Sequence, residues 1–203
     1  MLKAKTYQII TIIGVQTILL FERFLTLFIL DDRPVFDEAK FEFIAVLENN
    51  HEQIKTEIVH LMETEKIPDL PQLSSEQKRL VTGNSWKSLM LKLYGVDIAL
   101  NQKKTPITTA IFKEIPNVTT VFFSILEPQT SILPHRGPYK GVLRCHLAIL
   151  VPTDSNLCWL QINDQKYYWK ESKCIVFDDT YVHEAHNCSQ ERRVVLFVDF
   201  LRD

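Results

Sequence analysis

PHRGPYKGVLRCHLAILVP, residues 134–152, decides the fold, and two later runs, CIVFDDTYVHEAHN at 174–187 and RRVVLFVDF at 192–200, follow the same pattern. In a strand, successive side chains point to opposite faces. Over 143–151 this period puts Arg144, His146, Ala148 and Leu150 on one side, with Leu143, Cys145, Leu147, Ile149 and Val151 on the other. Over 193–200, Arg193, Val195, Phe197 and Asp199 alternate in the same way with Val194, Leu196, Val198 and Phe200. Each strand thus has one wholly apolar face and one that carries cationic or hydrogen-bonding groups at an end. A guanidinium turned inward without a partner is strongly unfavourable, so the pattern implies an anion inside, unless both arginines stand at strand ends and reach water.

A second pattern concerns metal. His135 is expected in a turn held by Pro134, Gly137 and Pro138, since proline restricts its neighbour and glycine permits tight geometry. His183 follows the apolar strand at 174–177 and the DDTYV loop. Two imidazoles on opposite lips of a barrel mouth, with open positions between them, suit a non-haem Fe(II) that must still bind a co-substrate and oxygen. The usual third ligand, a carboxylate two residues after the first histidine, is absent because Gly137 stands there. Spacing alone does not establish ligation.

HRGPYKGVLRCHLAILVP, IVFDDTYVHEAHN and RRVVLFVDF together closely resemble the aspartyl/asparaginyl β-hydroxylase family of Fe(II)/2-oxoglutarate dioxygenases, whose relatives include bacterial lipid A acyl-chain hydroxylases. The likeness is strong over 86–200 and thinner over 36–80. It implies iron ligation by His135 and His183, with no carboxylate at the third position. It also implies that Ser124 and Arg193 hold the distal carboxylate of 2-oxoglutarate while Arg144 and His146 meet its other end near the metal. A guanidinium fork matches a carboxylate, and a hydroxyl adds a donor. The implied activity is hydroxylation with O2, of an Asp or Asn side chain in a polypeptide or of a lipid acyl chain at a membrane surface. Val142 stands where the peptide hydroxylases carry a basic residue, two positions before the arginine matching Arg144, which counts against a simple copy of aspartyl recognition. A non-catalytic cupin-like binding module is the reading of a different class, because fold does not fix function.

The expected architecture is mainly β with flanking helices: a double-stranded β-helix, the cupin-type jelly roll, preceded by an N-terminal hydrophobic helix. With 203 residues and a net charge of -2, one sizeable core is expected and nothing points to nucleic acid. Residues 1–30 form the hydrophobic anchor or interfacial helix, 31–203 the dioxygenase domain, 31–80 its helical lead-in and 86–200 its barrel. The apolar part of 7–30 is interrupted by Glu22 and Arg23, so it fits a short anchor, a helix lying in the interface or a helix docked on the domain. The chain is therefore expected at a membrane, on its cytosolic face or in the endoplasmic reticulum lumen.

Two amphipathic helices are expected at 36–47 and 51–62, the first sheet strand at 86–94, and a helix capped by Thr105 and opened by Pro106. Glu57 reads as one of several acids on solvated faces, and His51 and His60 as surface or packing histidines. Trp86, Arg136, Tyr139 and Lys140 are candidates to line the substrate site. Asp178 and Asp179 are expected to make hydrogen bonds behind the ligands or at a strand end, with orienting His183 or substituting for the missing ligand as the alternative. The four cysteines lack CxxC spacing and read as buried thiols, while sequons at Asn117 and Asn187 matter only in a secretory compartment.

Overall fold

The computed structural model describes residues 31–69 and 79–202, together with Thr17, Leu20 and Leu27. The hydrophobic helix expected over 1–30, those three positions aside, lies outside the described residues, as do residues 70–78. Among the described residues no helix is long and apolar enough to cross a membrane.

In chain order the elements are β1 (Val35–Phe36), α1 (Phe43–Asn49), α2 (His51–Thr64), β2 (Val81–Gly83), β3 (Trp86–Leu93), β4 (Val96–Asp97), α3 (Ala99–Gln102) and α4 (Pro106–Lys113). There follow β5 (Val118–Leu126), β6 (Thr130–His135), β7 (Val142–Leu150), β8 (Cys158–Ile162), β9 (Gln165–Tyr168), β10 (Cys174–Phe177), β11 (His183–Asn187) and β12 (Arg193–Leu201). A seven-stranded sheet runs β1-β10-β7-β12-β5-β3-β4, facing a five-stranded sheet of order β2-β6-β11-β8-β9. All the pairings are antiparallel. From β5 onward the chain passes back and forth between the sheets, which is the winding of a double-stranded β-helix.

The alternation read in β7 and β12 settles which face meets what. Leu143, Cys145, Leu147 and Ile149, with Val194, Leu196, Val198 and Phe200, pack against Ile44, Leu47, Ile54, Ile58 and Phe112 of the helices. Each such side chain contributes roughly 1.5–3 kcal/mol on full burial, so this helix-backed layer dominates the stability of the fold. The opposite face, with Ala148 and Val195, joins Trp86, Leu126, Leu160, Trp169 and Phe177 between the sheets.

Several local expectations are corrected. Phe36 belongs to a strand on the edge of β10 rather than to a helix; Asp37 then caps a short 3-10 turn over Glu38–Lys40 before α1 begins. Two short strands precede the one that starts at Trp86, and Tyr94 and Gly95, with φ of 47° and 82°, turn β3 into β4. The hydroxyl of Thr105 does not cap α4. It donates to the Asn101 carbonyl (3.3 Å), and Glu57 of α2 takes its place, accepting from the amides of Ile107 (2.8 Å) and Thr108 (2.9 Å). A carboxylate at a helix N-terminus satisfies orphan donors and meets the positive end of the helix dipole. Asn187 of the second sequon is fully buried, its side-chain amide donating to three backbone carbonyls. All four cysteines are free thiols, and Cys188 alone among them is exposed.

Candidate functional site

His135 ends β6 and His183 opens β11, adjacent antiparallel strands in which the two residues are direct cross-strand partners. Strand pairing, instead of the expected turn and loop, thus brings them together across 48 positions of sequence. The ring centroids are 4.1 Å apart with planes tilted by 53°. His135 Nδ1 lies 2.8 Å from the Leu133 carbonyl and His183 Nδ1 2.9 Å from the Tyr181 carbonyl. A carbonyl can only accept, so both Nδ1 atoms carry the proton and both Nε2 atoms keep their lone pairs. Burial lowers the pKa of His135, and burial, then the nearby His135 and Arg144, pushes His183 down to about 3. A neutral imidazole pair with oriented lone pairs fits a divalent metal.

Gly137 follows two residues after His135, and a Cβ there would collide with the carboxylate of Asp179. The space a ligating side chain at 137 would use thus belongs to an acid from the loop before β11. That acid faces Arg144 Nη2 at 2.7 Å. Arg144 also forks onto Asp199 at 2.9 and 3.1 Å and lies over the Phe197 ring at 4.1 Å. Burial opposes the charge, but Asp179 and Asp199 outweigh it and raise the Arg144 pKa. The anions that meet Arg144 in the structure are therefore the protein's own, Asp179 and Asp199, in an internal ion-pair cluster.

Arg193 is the contrast. It is 1% exposed, and it donates weakly to the carbonyl and Oγ of Ser124, both at 3.4 Å, and to the thiol of Cys158. Its guanidinium lies 4.7 Å from the centroid of the Trp169 ring, and its Nε has no partner. Burial holds its pKa down to about 10, with Cys158 opposing the fall. Ser124 Oγ accepts from Trp86 Nε1 (2.9 Å), which leaves the hydroxyl proton available to a ligand. Trp86 thus positions Ser124 rather than lining the groove beside Arg144. His146 is buried among Phe177, Phe197 and Trp169, with neither ring nitrogen partnered. Burial, then Arg144, Arg193 and His183, keeps its pKa well below the ordinary value. Ser88 Oγ, cross-strand from Ser124, is also buried without a partner.

The remaining candidates separate cleanly. Lys140 is buried, pairs with Asp32 at 2.6 Å and lies 5.0 Å over the Tyr181 ring, so it is no exposed basic rim. Asp178 accepts from Thr180 and Arg202 and is structural. Arg136 donates through Nε to the Thr180 carbonyl. Tyr139 lines a groove of about 340 Å³ with Tyr94, Pro138, Val142 and Leu201, floored by Arg144, Asp179 and Asp199. His186 points away from the site, stacked on Trp159 and 2.9 Å from Ser131 Oγ. Among the described residues one group of three ligand types lies elsewhere, His51, Glu52 and Glu171; His51 Nε2 is bonded to the Ile149 carbonyl and Glu171 to Lys55.

Sequence reasoning assigned no role to Asp199 or Trp169. Asp199 was within reach, because it shares the inward face of its strand with Arg193. Trp169 ends the KYYW run, and nothing local says which way its indole N–H points.

Together these features define a jelly-roll protein with a paired-imidazole mouth and a buried guanidinium between its sheets. The chain belongs to the aspartyl/asparaginyl β-hydroxylase family, whose model matches residues 48–203. It is 38% identical over 174 residues to an ornithine lipid ester-linked acyl 2-hydroxylase of Rhizobium tropici, covering 85% of this chain and 62% of that protein. It is 28% identical over 163 residues to the human aspartyl/asparaginyl β-hydroxylase, covering 78% of this chain and 21% of the relative. The chain thus spans less than two thirds of the length of either relative. Among solved structures, a Pseudomonas putida prolyl-4-hydroxylase matches with a TM-score of 0.48 at 10% identity, over 79% of this chain and 99% of that one.

Proposed function

We propose that residues 31–203 form an Fe(II)- and 2-oxoglutarate-dependent hydroxylase acting on a lipid acyl chain. The observation that carries the reading is a neutral imidazole pair lying in the same inter-sheet space as a buried guanidinium that has no carboxylate among the described residues. When bound, iron, 2-oxoglutarate and O2 supply the oxidising power that puts one oxygen atom into a C–H bond, with succinate and carbon dioxide as by-products. The rest is the chain's work.

His135 and His183 present their Nε2 lone pairs to the metal, each ring held by its Nδ1–H bond to a backbone carbonyl. Arg193 and the Ser124 hydroxyl take the distal carboxylate, with two charge-assisted donors aimed at one anion. His146, neutral and unpartnered, donates toward the co-substrate from the adjacent strand. Phe177 and Phe197 wall the space and exclude water, which strengthens every polar contact inside it.

The groove supports an acyl substrate. Its walls are aromatic and aliphatic, its one guanidinium is already held by two carboxylates, and Val142 adds no charge. The name of the Rhizobium relative agrees with this. Such a substrate puts the enzyme at a membrane surface, with 7–30 as the segment that would hold it there. Asp/Asn hydroxylation of a polypeptide is the alternative outcome.

One experiment tests all three readings. The full chain is mixed anaerobically with Fe(II) and 2-oxoglutarate, then exposed to oxygen with ornithine-lipid extract or acidic peptides, and products are read by mass. A visible metal-to-ligand band and a gain of one oxygen on the lipid are expected. Gain on peptide alone overturns the substrate, and absence of the band, with no gain on either, leaves a binding module.

A further inference from the structure

Three buried side chains with unpartnered nitrogens, Arg193, His146 and Trp169, pack together in the inter-sheet space, and Trp169 is outside the set read from the motifs. Trp169 is 2% exposed and follows β9 in the smaller sheet. Its ring lies under Arg193 at 4.7 Å and is stacked with His146 at 6.4 Å between centroids, planes 25° apart. Its Nε1–H has no partner, and neither do Arg193 Nε and both His146 nitrogens.

A buried indole N–H normally finds an acceptor, because leaving it unpaired forfeits its hydration without return. Here the unpaired indole lies between two other unpaired nitrogen groups. No carboxylate is recorded against Arg193, so what this group of donors lacks is a ligand rich in acceptor oxygens. We propose that Trp169 is a further co-substrate-binding residue, its ring bracing the Arg193 guanidinium and its Nε1–H donating to the distal carboxylate of 2-oxoglutarate. The proposal rests on the dioxygenase reading.

The ring and the N–H can be separated. Trp169→Phe keeps an aromatic face under Arg193 and deletes the donor, together with part of the buried ring volume that the metal-affinity control monitors. Titration calorimetry of 2-oxoglutarate into the manganese-loaded full chain should show Kd rising roughly tenfold in this variant, the size expected for one bond to a charged acceptor. Affinity for Mn(II), measured separately by its free-ion resonance, should stay unchanged. An unchanged Kd for 2-oxoglutarate, or an equal loss of metal affinity, would overturn the proposal, the latter because it would mean simple loosening of the barrel.

Should the Phe variant fail to fold, the wild-type chain still decides. With indole nitrogens labelled and zinc as a diamagnetic stand-in, a solvent-protected indole N–H signal other than that of Trp86 should move downfield on addition of 2-oxoglutarate. No such movement under saturating co-substrate would sink the idea. A wild-type chain that binds no 2-oxoglutarate would refute the dioxygenase reading itself, and that measurement precedes every variant.

Discussion

Arg144 and Arg193 lie on neighbouring strands, on the same inward face, at opposite ends of the space between the sheets. At one end a guanidinium is forked by Asp199 and met by Asp179; at the other the nearest polar oxygens are a serine carbonyl and hydroxyl at 3.4 Å. The two ends have opposite electrostatics built from the same residue type. The closed end is self-sufficient and borders a groove, whereas the open end holds a buried charge with no carboxylate against it among the described residues. Burial holds the Arg193 pKa down to about 10, so this site works against the charged form.

The sharpest test of this contrast removes the closed end's cation. Arg144→Ala would leave two buried carboxylates uncompensated, and the chain should lose about 3–5 kcal/mol of stability in urea unfolding. If Arg144 were the open arginine, the loss would be far smaller. Arg193→Leu should do the reverse: the ligand-free chain becomes more stable or stays unchanged by the same urea assay. Calorimetry should show its affinity for 2-oxoglutarate falling roughly 100-fold, as for loss of a charge-assisted contact.

His146 tests the open end through pH. Its folded pKa lies well below the 6.5 of an unperturbed imidazole, so the unfolded chain takes up a proton that the folded chain refuses. Its contribution to stability is complete above pH 6.5 and declines as the pH falls below that value. His146→Leu should flatten this acid-side decline in the ligand-free chain. It should also raise Tm by about 2–8 °C, because two unpartnered buried nitrogens worth roughly 1–2 kcal/mol are gone. The same variant should bind 2-oxoglutarate more weakly. The smallest effect is expected at the groove: Val142→Lys should alter stability by no more than about 0.5 kcal/mol. It should nonetheless lower oxygen incorporation into lipid relative to acidic peptide, read as a product ratio by mass.

Much of this contrast was written in alternation. The period of two in β7 and β12 assigns Arg144, His146, Arg193 and Asp199 to one face without any knowledge of the other sheet. What alternation cannot encode is which loop returns to that face. Asp179 reaches Arg144 from the segment before β11, and Lys140, a candidate to line the substrate site, is covered by Asp32 and Tyr181. The meeting of His135 and His183 is likewise non-local. Local signals put both in turns; a pair of imidazoles across a barrel mouth suited a metal, but spacing did not establish ligation and the motif resemblance carried the shared role. Trp169 stayed invisible because a tryptophan at a strand end is ordinarily read as packing.

The cap on α4 carries a consequence for how the chain assembles. Eight residues are too few for a helix to persist alone in water, and the acceptor for its first two free amides is Glu57, 50 residues earlier in the chain from Ile107. The later helix can therefore be completed only on a surface the earlier one has already offered. Amide exchange at Ile107 and Thr108 should accordingly track the opening of α2 rather than any local fraying, making the two helices a single cooperative unit on the back of the larger sheet.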